Sequence, residues 1–119
     1  MLKRPLNFRF NHAVLTGRKI STIRDNPWPY GKPIMLYNWS GKAYRSPQIN
    51  IAPVQVVVSQ PIEIHHLPDG TMKYDYPCTF TLWECEGFDS QEDMDNWFRA
   101  KIKPGKSVNK TLIRFRLLQ

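Results

Sequence analysis

Three residues near the amino end, Lys19, Thr22 and Arg24, have side chains that could take part in acid–base or nucleophilic chemistry. A lysine acts as a general base only when burial or neighbouring cations lower its pKa, and Arg18 and Arg24 are close in sequence. A threonine hydroxyl needs a base beside it to attack a carbonyl carbon. The segment 17–25 is therefore a candidate for catalysis, but it also fits a turn glycine followed by an alternating strand with ordinary ion pairs.

A carboxylate would complete this set, and Glu86 could hold the lysine or transfer a proton. Sequence spacing alone does not place Glu86 near Lys19. In a purely structural arrangement, Asp25, Glu84 or Glu86 would form salt bridges with the cations of the segment.

The spacing of this segment resembles the Gly-x-Lys-x-x-(Glu/Thr)-x-Arg signature of the ASCH family, small barrels similar to the RNA-binding PUA domain. The four signature positions are here Gly17, Lys19, Thr22 and Arg24. Residues 86–88, before a helix containing Trp97-Phe98, resemble the second family signature, and residues 110–117 resemble the last strand. The resemblance covers most of the chain, with a looser match over 39–77. It implies that both signatures line one cleft at the barrel mouth.

A subgroup of that family removes the acyl group from N-acetylated cytidine with a Lys, a Thr and a Glu. Carried over by position, the resemblance implies catalytic roles for Lys19, Thr22 and Glu86, with Glu84 as an alternative to Glu86. Many family members have Glu at the position of Thr22, so the threonine favours the subgroup.

The charge balance favours an anionic partner. The chain has 119 residues, with 17 Lys and Arg against 10 Asp and Glu, a net charge of +7. This predicts nucleic acid before a membrane or an acidic protein, although a basic solvated surface has the same composition.

Aromatic side chains interleave with cations over residues 28–45, a pattern that suits stacking on single-stranded RNA or an extruded base. The predicted binding residues are Arg18, Arg24, Trp28, Tyr30, Lys42 and Arg45. The alternative for Trp28 is that its loop folds back and the ring covers the core.

Other classes of function have little support. Cys78 and Cys85 are too few for a disulfide framework and are predicted to be reduced core thiols. His65 and His66 cannot share one face of a strand, and no His or Cys spacing is typical of zinc, so no metal or cofactor is predicted. Without an apolar run suited to a signal peptide or membrane helix, we expect a cytoplasmic protein with no membrane partner.

Prolines recur between short extended runs, which is typical of a small barrel rather than a helical bundle. Strands are predicted over 34–39, 51–59, 61–66, 79–83 and 110–117. Helices are predicted over 11–16 and after an N-cap at Asp89. The expected fold is α+β, a single ASCH domain over 1–119 built as a small mixed PUA-like β-barrel with one or two helices.

The sequence thus predicts a protein that binds RNA, a nucleotide or a modified nucleoside in a basic cleft lined by Lys19, Thr22, Arg24 and Glu86. The first alternative is a small amidohydrolase that deacylates N-acetylated cytidine, and the second is a non-catalytic basic adaptor for a protein partner. An enzyme requires Lys19 buried near Glu86 in a closed pocket, whereas an RNA-binding protein requires an open groove with exposed aromatics. An adaptor requires a contiguous exposed apolar patch.

Overall fold

The computed structural model describes residues 1–77 and 80–118. Six strands are found there: β1 (Leu2–Pro5), β2 (Ser21–Arg24), β3 (Ile34–Trp39), β4 (Gln48–His66), β5 (Met72–Asp75) and β6 (Ser107–Leu117). The helices of the same residues are a 3-10 turn (Phe8–Phe10), α1 (Asn11–Leu15), α2 (Leu82–Glu86) and α3 (Gln91–Arg99). None of these helices is long and apolar enough to cross a membrane.

The strands form one mixed sheet in the order β1-β3-β4-β6-β2. β1 and β3 are parallel, and the other pairs are antiparallel. The 19-residue β4 is the central strand. It pairs with β6 along one side, and on the other side with β3 and then β5.

The predicted closed barrel is wrong, because the sheet stays open between β1 and β2. These two strands end the sheet path and do not pair with each other among the described residues. A side chain crosses the gap instead: Arg24 Nη2 on β2 donates to the carbonyl oxygen of Pro5 on β1 at 2.7 Å. Residues from both edge strands line a cavity there, so the space between the two edges is part of that cavity. The structure is a small α+β protein with three α-helices in the described residues, where one or two were predicted.

One core joins the sheet to the helices. The strands contribute alternating buried residues, and α3 contributes Met94 and Phe98 at helical spacing. The largest fully buried side chains include Val14, Ile34, Leu36, Val54, Ile62, Ile64, Met94, Leu112 and Ile113. The helices therefore cover the apolar face of the open sheet.

Several predicted elements agree with the structure, and others do not. The strand at 34–39 matches β3, and the helix at 11–16 matches α1 to within one residue. The predicted strands 51–59 and 61–66 are one strand, because β4 continues through Pro61, which lies opposite Thr111 of β6. Around Pro61 neither β3 nor β5 pairs with β4, and proline is tolerated where a strand has a free edge.

The strand predicted over 79–83 is wrong where the structure describes it, since α2 begins at Leu82. Thr79 lies outside the described residues, as does Cys78, one of the two predicted core thiols; Cys85 is half-buried and free. Leu82 and Glu86 are buried at helical spacing, and the left-handed Gly87 ends the helix. The N-cap of α3 is Ser90 rather than Asp89, because the Ser90 side chain accepts from the Asp93 N–H.

Candidate functional site

A cavity of about 450 Å³ lies at the gap between the two sheet edges. Its walls come from β1, β2 and β6, from the 3-10 turn, from α2, α3 and the segment that joins them, and from the residues that follow α3. The lining includes Leu6, Phe10, Lys19, Thr22, Arg24, Glu86, Phe88, Trp97 and Lys101. This volume falls in the range of pockets that bind small molecules.

Lys19 lies in the wall of the cavity and is 4% exposed. Its ammonium nitrogen donates to the carbonyl oxygens of Ser21 at 2.6 Å and Glu86 at 2.7 Å. The same Nζ lies 3.9 Å from Glu86 Oε1 and 4.7 Å from the centre of the Phe10 ring. The lysine is therefore held by backbone acceptors rather than by a close contact with the carboxylate.

Burial lowers the pKa of Lys19 to about 8, because the ammonium loses its water. The Glu86 carboxylate opposes this change, and the charges of Arg24 and Arg18 lower the pKa further. A neutral amine has two N–H bonds, which is the number needed to satisfy the two carbonyl oxygens. The remaining tetrahedral position of Nζ then carries a lone pair, so a neutral Lys19 would be an oriented base.

Backbone contacts of its neighbours fix Lys19 in place. The Lys19 N–H donates to the Ala13 carbonyl oxygen at 2.8 Å, and the Ile20 N–H donates to the Cys85 carbonyl oxygen at 2.8 Å. Gly87 packs against the lysine: a Cβ there would lie 3.1 Å from Lys19 Cβ. Helices α1 and α2 thus hold the start of β2 from both sides.

Glu86 is the last residue of α2 and is 3% exposed. The Ser21 hydroxyl donates to its Oε2 oxygen. Glu84, the alternative proposed from the sequence, is exposed and does not line the cavity. Because residues two apart on a helix point in different directions, only one of these two carboxylates can face the cavity, and it is Glu86.

Thr22 and Arg24 lie beside each other on the same wall. The buried Thr22 hydroxyl oxygen accepts from Arg24 Nε at 2.9 Å, which leaves the hydroxyl proton free to be donated. The Arg24 guanidinium also lies 5.0 Å from the centre of the Trp28 ring. The structure therefore brings Lys19, Thr22, Arg24 and Glu86 to one cavity.

The other predicted binding residues do not line this cavity. Arg18 donates to the carbonyl oxygens of Phe88 at 2.8 Å and Gly87 at 3.0 Å, so it supports the α2–α3 connection. Trp28 is buried and belongs to the core, which confirms the alternative interpretation that the sequence analysis gave for this residue. Tyr30 is exposed, and its hydroxyl oxygen accepts from the Ser59 N–H at 2.7 Å.

Lys42 and Arg45 are exposed in the connection between β3 and β4, also outside the cavity. The aromatic and basic residues of 28–45 are therefore divided between the core and the surface rather than gathered in one groove.

Sequence reasoning gave no site role to several cavity residues, although Phe88 and Trp97 lie in the segments that resemble the second family signature. Phe10, Phe88 and Trp97 form an aromatic group in which Phe10 contacts Phe88 and Trp97 at ring separations of 5.3 and 5.6 Å. Lys101 and Lys110 add two more cations to the lining. Nothing in the sequence indicated that Phe10 lines a site, because the 3-10 turn that contains it is too short to have a hydrophobic periodicity.

We compared the chain with protein-family models, with curated proteins and with solved structures, and none of the three comparisons gives a match. The resemblance to the ASCH family therefore stays a prediction from the motifs.

Proposed function

We propose that this protein is a small amidohydrolase that removes an acyl group from the amino nitrogen of a nucleoside-sized substrate. The observation that carries the proposal is the burial of Lys19, whose pKa of about 8 makes it a base near neutral pH. The buried carboxylate of Glu86 lies 3.9 Å from its Nζ. A buried lysine near a buried carboxylate supports acid–base chemistry, which an RNA-binding groove does not require.

In the proposed reaction, neutral Lys19 takes a proton from a water molecule, and the resulting hydroxide attacks the acyl carbon. The electron pair of the C=O bond moves to the oxygen, and Arg24 with the Thr22 hydroxyl stabilises the oxyanion. When the C–N bond breaks, the leaving nitrogen receives a proton from the Lys19 ammonium. Glu86 stabilises that ammonium. One water is consumed, and a carboxylic acid and a free amine are formed.

The resemblance to deacylases of N-acetylated cytidine suggests an acylated pyrimidine nucleoside as the substrate. Two properties of the cavity support this choice. Its volume of about 450 Å³ suits a small molecule rather than a chain. Its aromatic wall of Phe10, Phe88 and Trp97 offers faces and edges against which a base could pack.

The test is a chromatographic assay of cytidine released from N4-acetylcytidine by purified wild type, Glu86→Gln and Glu84→Gln. These variants make the same chemical change two residues apart on α2, one in the cavity and one on the surface. We expect Glu86→Gln to lower turnover at least about a hundredfold, because the Lys19 ammonium that forms during the reaction loses the carboxylate that stabilises it. Glu84→Gln is expected to behave as wild type.

Two outcomes would contradict the proposal. Wild type that releases no cytidine above the blank would exclude this substrate, and a panel of acylated amines would then test the reaction class. Equal rates in wild type and Glu86→Gln, with both proteins folded by circular dichroism, would indicate a contaminating enzyme.

Binding of RNA or a nucleotide without chemistry is the second candidate, and the cations of the cavity favour it. Arg24, Lys101 and Lys110 all line the cavity, and the net charge of the chain is +7. We expect such binding to weaken steeply with salt, with a slope of log affinity against log salt of about 0.7 per phosphate contact. Titration of labelled single-stranded RNA at several salt concentrations measures that slope, and binding insensitive to salt would argue against this candidate.

A further inference from the structure

Three side chains that can bind a metal converge outside the cavity lining, on the side of β4 that faces away from the core. Glu63 and His65 alternate on β4 with the buried residues Ile62, Ile64 and His66, so they point away from the core. Asp75 lies at the end of β5. We propose that Glu63, His65 and Asp75 form a binding site for a divalent transition-metal ion of the Zn²⁺ type.

The pairing of the strands holds these residues together. Asp75 is the direct cross-strand neighbour of Glu63 in the β4–β5 pair, and Ser107 of β6 is the direct neighbour of His65. Residues opposite each other on one face of an antiparallel pair have Cβ atoms only about 5 Å apart. The sheet therefore fixes the spacing of the three side chains without help from a loop.

The ligand atoms already have the separations that an ion requires. His65 Nε2 lies 2.7 Å from Glu63 Oε1 and 3.0 Å from Asp75 Oδ2. One ligand atom from each of the three residues can be chosen so that all lie within 4.8 Å of one another. Two ligands of a tetrahedral ion with bonds of about 2.0 Å are about 3.3 Å apart, so small side-chain movements would suffice.

The hydrogen bonding around His65 also fits an ion. Its Nδ1 lies 2.6 Å from the Ser107 hydroxyl, which orients the ring and directs Nε2 at the two carboxylates. Without an ion, the one hydrogen on Nε2 has to be shared between two carboxylate oxygens. A cation at that point would satisfy both carboxylates and the nitrogen lone pair at once.

The chemical types of the three ligands indicate which metal ion the site would bind. One imidazole nitrogen and two carboxylate oxygens suit Zn²⁺, whereas Ca²⁺ and Mg²⁺ prefer oxygen ligands alone. Three protein ligands leave a fourth position for water, as in catalytic rather than structural zinc sites. Lys73 opposes binding, because its Nζ lies 3.8 Å from Asp75 Oδ1.

The experiment is calorimetric titration of the untagged protein with ZnCl₂, using His65→Ala and a matched control, His12→Ala. His12 is exposed and lies on α1, outside the group of three ligands. We expect one ion per chain in wild type and His12→Ala, and at least about tenfold weaker binding in His65→Ala, the scale on which metal sites respond to lost contacts. Lys73→Gln is expected to bind more tightly than wild type, because a competing cation is removed.

A second variant and a measurement of the melting temperature also test the proposed site. Asp75→Asn preserves the shape of the side chain and is expected to weaken binding severalfold without unfolding the sheet. Zinc is expected to raise the melting temperature of wild type but not of His65→Ala, because an ion that binds only the folded state stabilises it. Equal zinc affinity in wild type and His65→Ala, or a wild type that binds no zinc, would overturn the proposal.

Discussion

Two lysine–carboxylate pairs lie at the cavity, and they differ both in burial and in how closely the two charges approach each other. Lys19 and Glu86 are 3.9 Å apart, with side chains only 3% and 4% exposed. Lys110 makes a closer contact with Asp25, but those side chains are 30% and 75% exposed. The hydrogen bond and charge of Lys110 lower the pKa of Asp25, as in an ordinary surface ion pair. The pKa of Lys19 falls instead, although a carboxylate lies beside it.

The comparison indicates that loss of water, rather than the charge of a partner, controls the state of Lys19. In water, a nearby carboxylate favours the ammonium; in the buried wall, desolvation outweighs that attraction. The same type of pair is therefore a solvated contact at one position and a candidate acid–base centre at the other.

The largest difference in the free energy of unfolding is expected between variants that remove the lysine of the buried pair and the lysine of the exposed pair. Lys19→Met leaves the Glu86 carboxylate without its cation and two buried carbonyl oxygens without a donor. Breaking a buried pair in this way costs roughly 3–5 kcal/mol of the free energy of unfolding. Lys110→Met is expected to leave stability nearly unchanged, because its pair is exposed. Denaturant unfolding of both variants at pH 7 measures the difference, and equal losses would contradict the importance of burial.

The second effect is a rise in stability with pH. The pKa of Lys19 is about 8 in the folded protein against the ordinary lysine value of 10.5, so between these values the unfolded state binds more protons. Stability contributed by this group should therefore rise from about pH 8 to about pH 10.5 and be flat below pH 8. The total is of the order of 3 kcal/mol. Denaturant unfolding across this range should show the rise in wild type beyond that of Lys19→Met; parallel curves would be evidence against it.

A smaller effect is expected from crowding the buried lysine through its neighbour. Gly87 and Gly70 both have left-handed backbones, with φ of 89° and 92°. A Cβ at Gly87 would lie within 3.2 Å of Ala13 Cβ and Lys19 Cδ, whereas a Cβ at Gly70 meets nothing within 4 Å. Alanine costs about 1 kcal/mol at either position from its backbone conformation. At Gly87 we expect at least about 1 kcal/mol more from overpacking. Melting curves of Gly87→Ala and Gly70→Ala test this. Equal losses of stability would show that Ala13 and Lys19 accommodate the added methyl group at Gly87.

The sequence predicted the residues of the cavity better than the shape of the sheet. The segment around Lys19 and the short motif at Glu86 were both recognised from their resemblance to family signatures, whereas sequence spacing alone did not bring them together. Closure of the sheet was not, because closure depends on whether β1 and β2 pair, and neither strand has a pattern that specifies its neighbour. The choice between Glu84 and Glu86 also required the structure, since it depends on the direction of a five-residue helix whose first two residues were predicted as the end of a strand.

The proposed metal ligands show a second limit of sequence spacing. Glu63 and His65 are two residues apart, but Asp75 joins them only through the pairing of β4 with β5. The zinc patterns sought in the sequence are local clusters of His and Cys, so a set divided between strands gives no signal. The burial of Trp28 is likewise decided by tertiary packing, so the sequence left open whether its ring stacks on a ligand or belongs to the core.

The pKa of Lys19 is the quantity on which the proposed chemistry depends most directly. Nuclear magnetic resonance of protein labelled with ¹³C-lysine follows the side-chain carbon next to each amine as pH rises, and Lys19→Met assigns the signal. We predict that this carbon of Lys19 titrates near pH 8. A Lys19 signal that titrates near 10.5, the ordinary value for lysine, would contradict both the effect of burial and the role of Lys19 as a base.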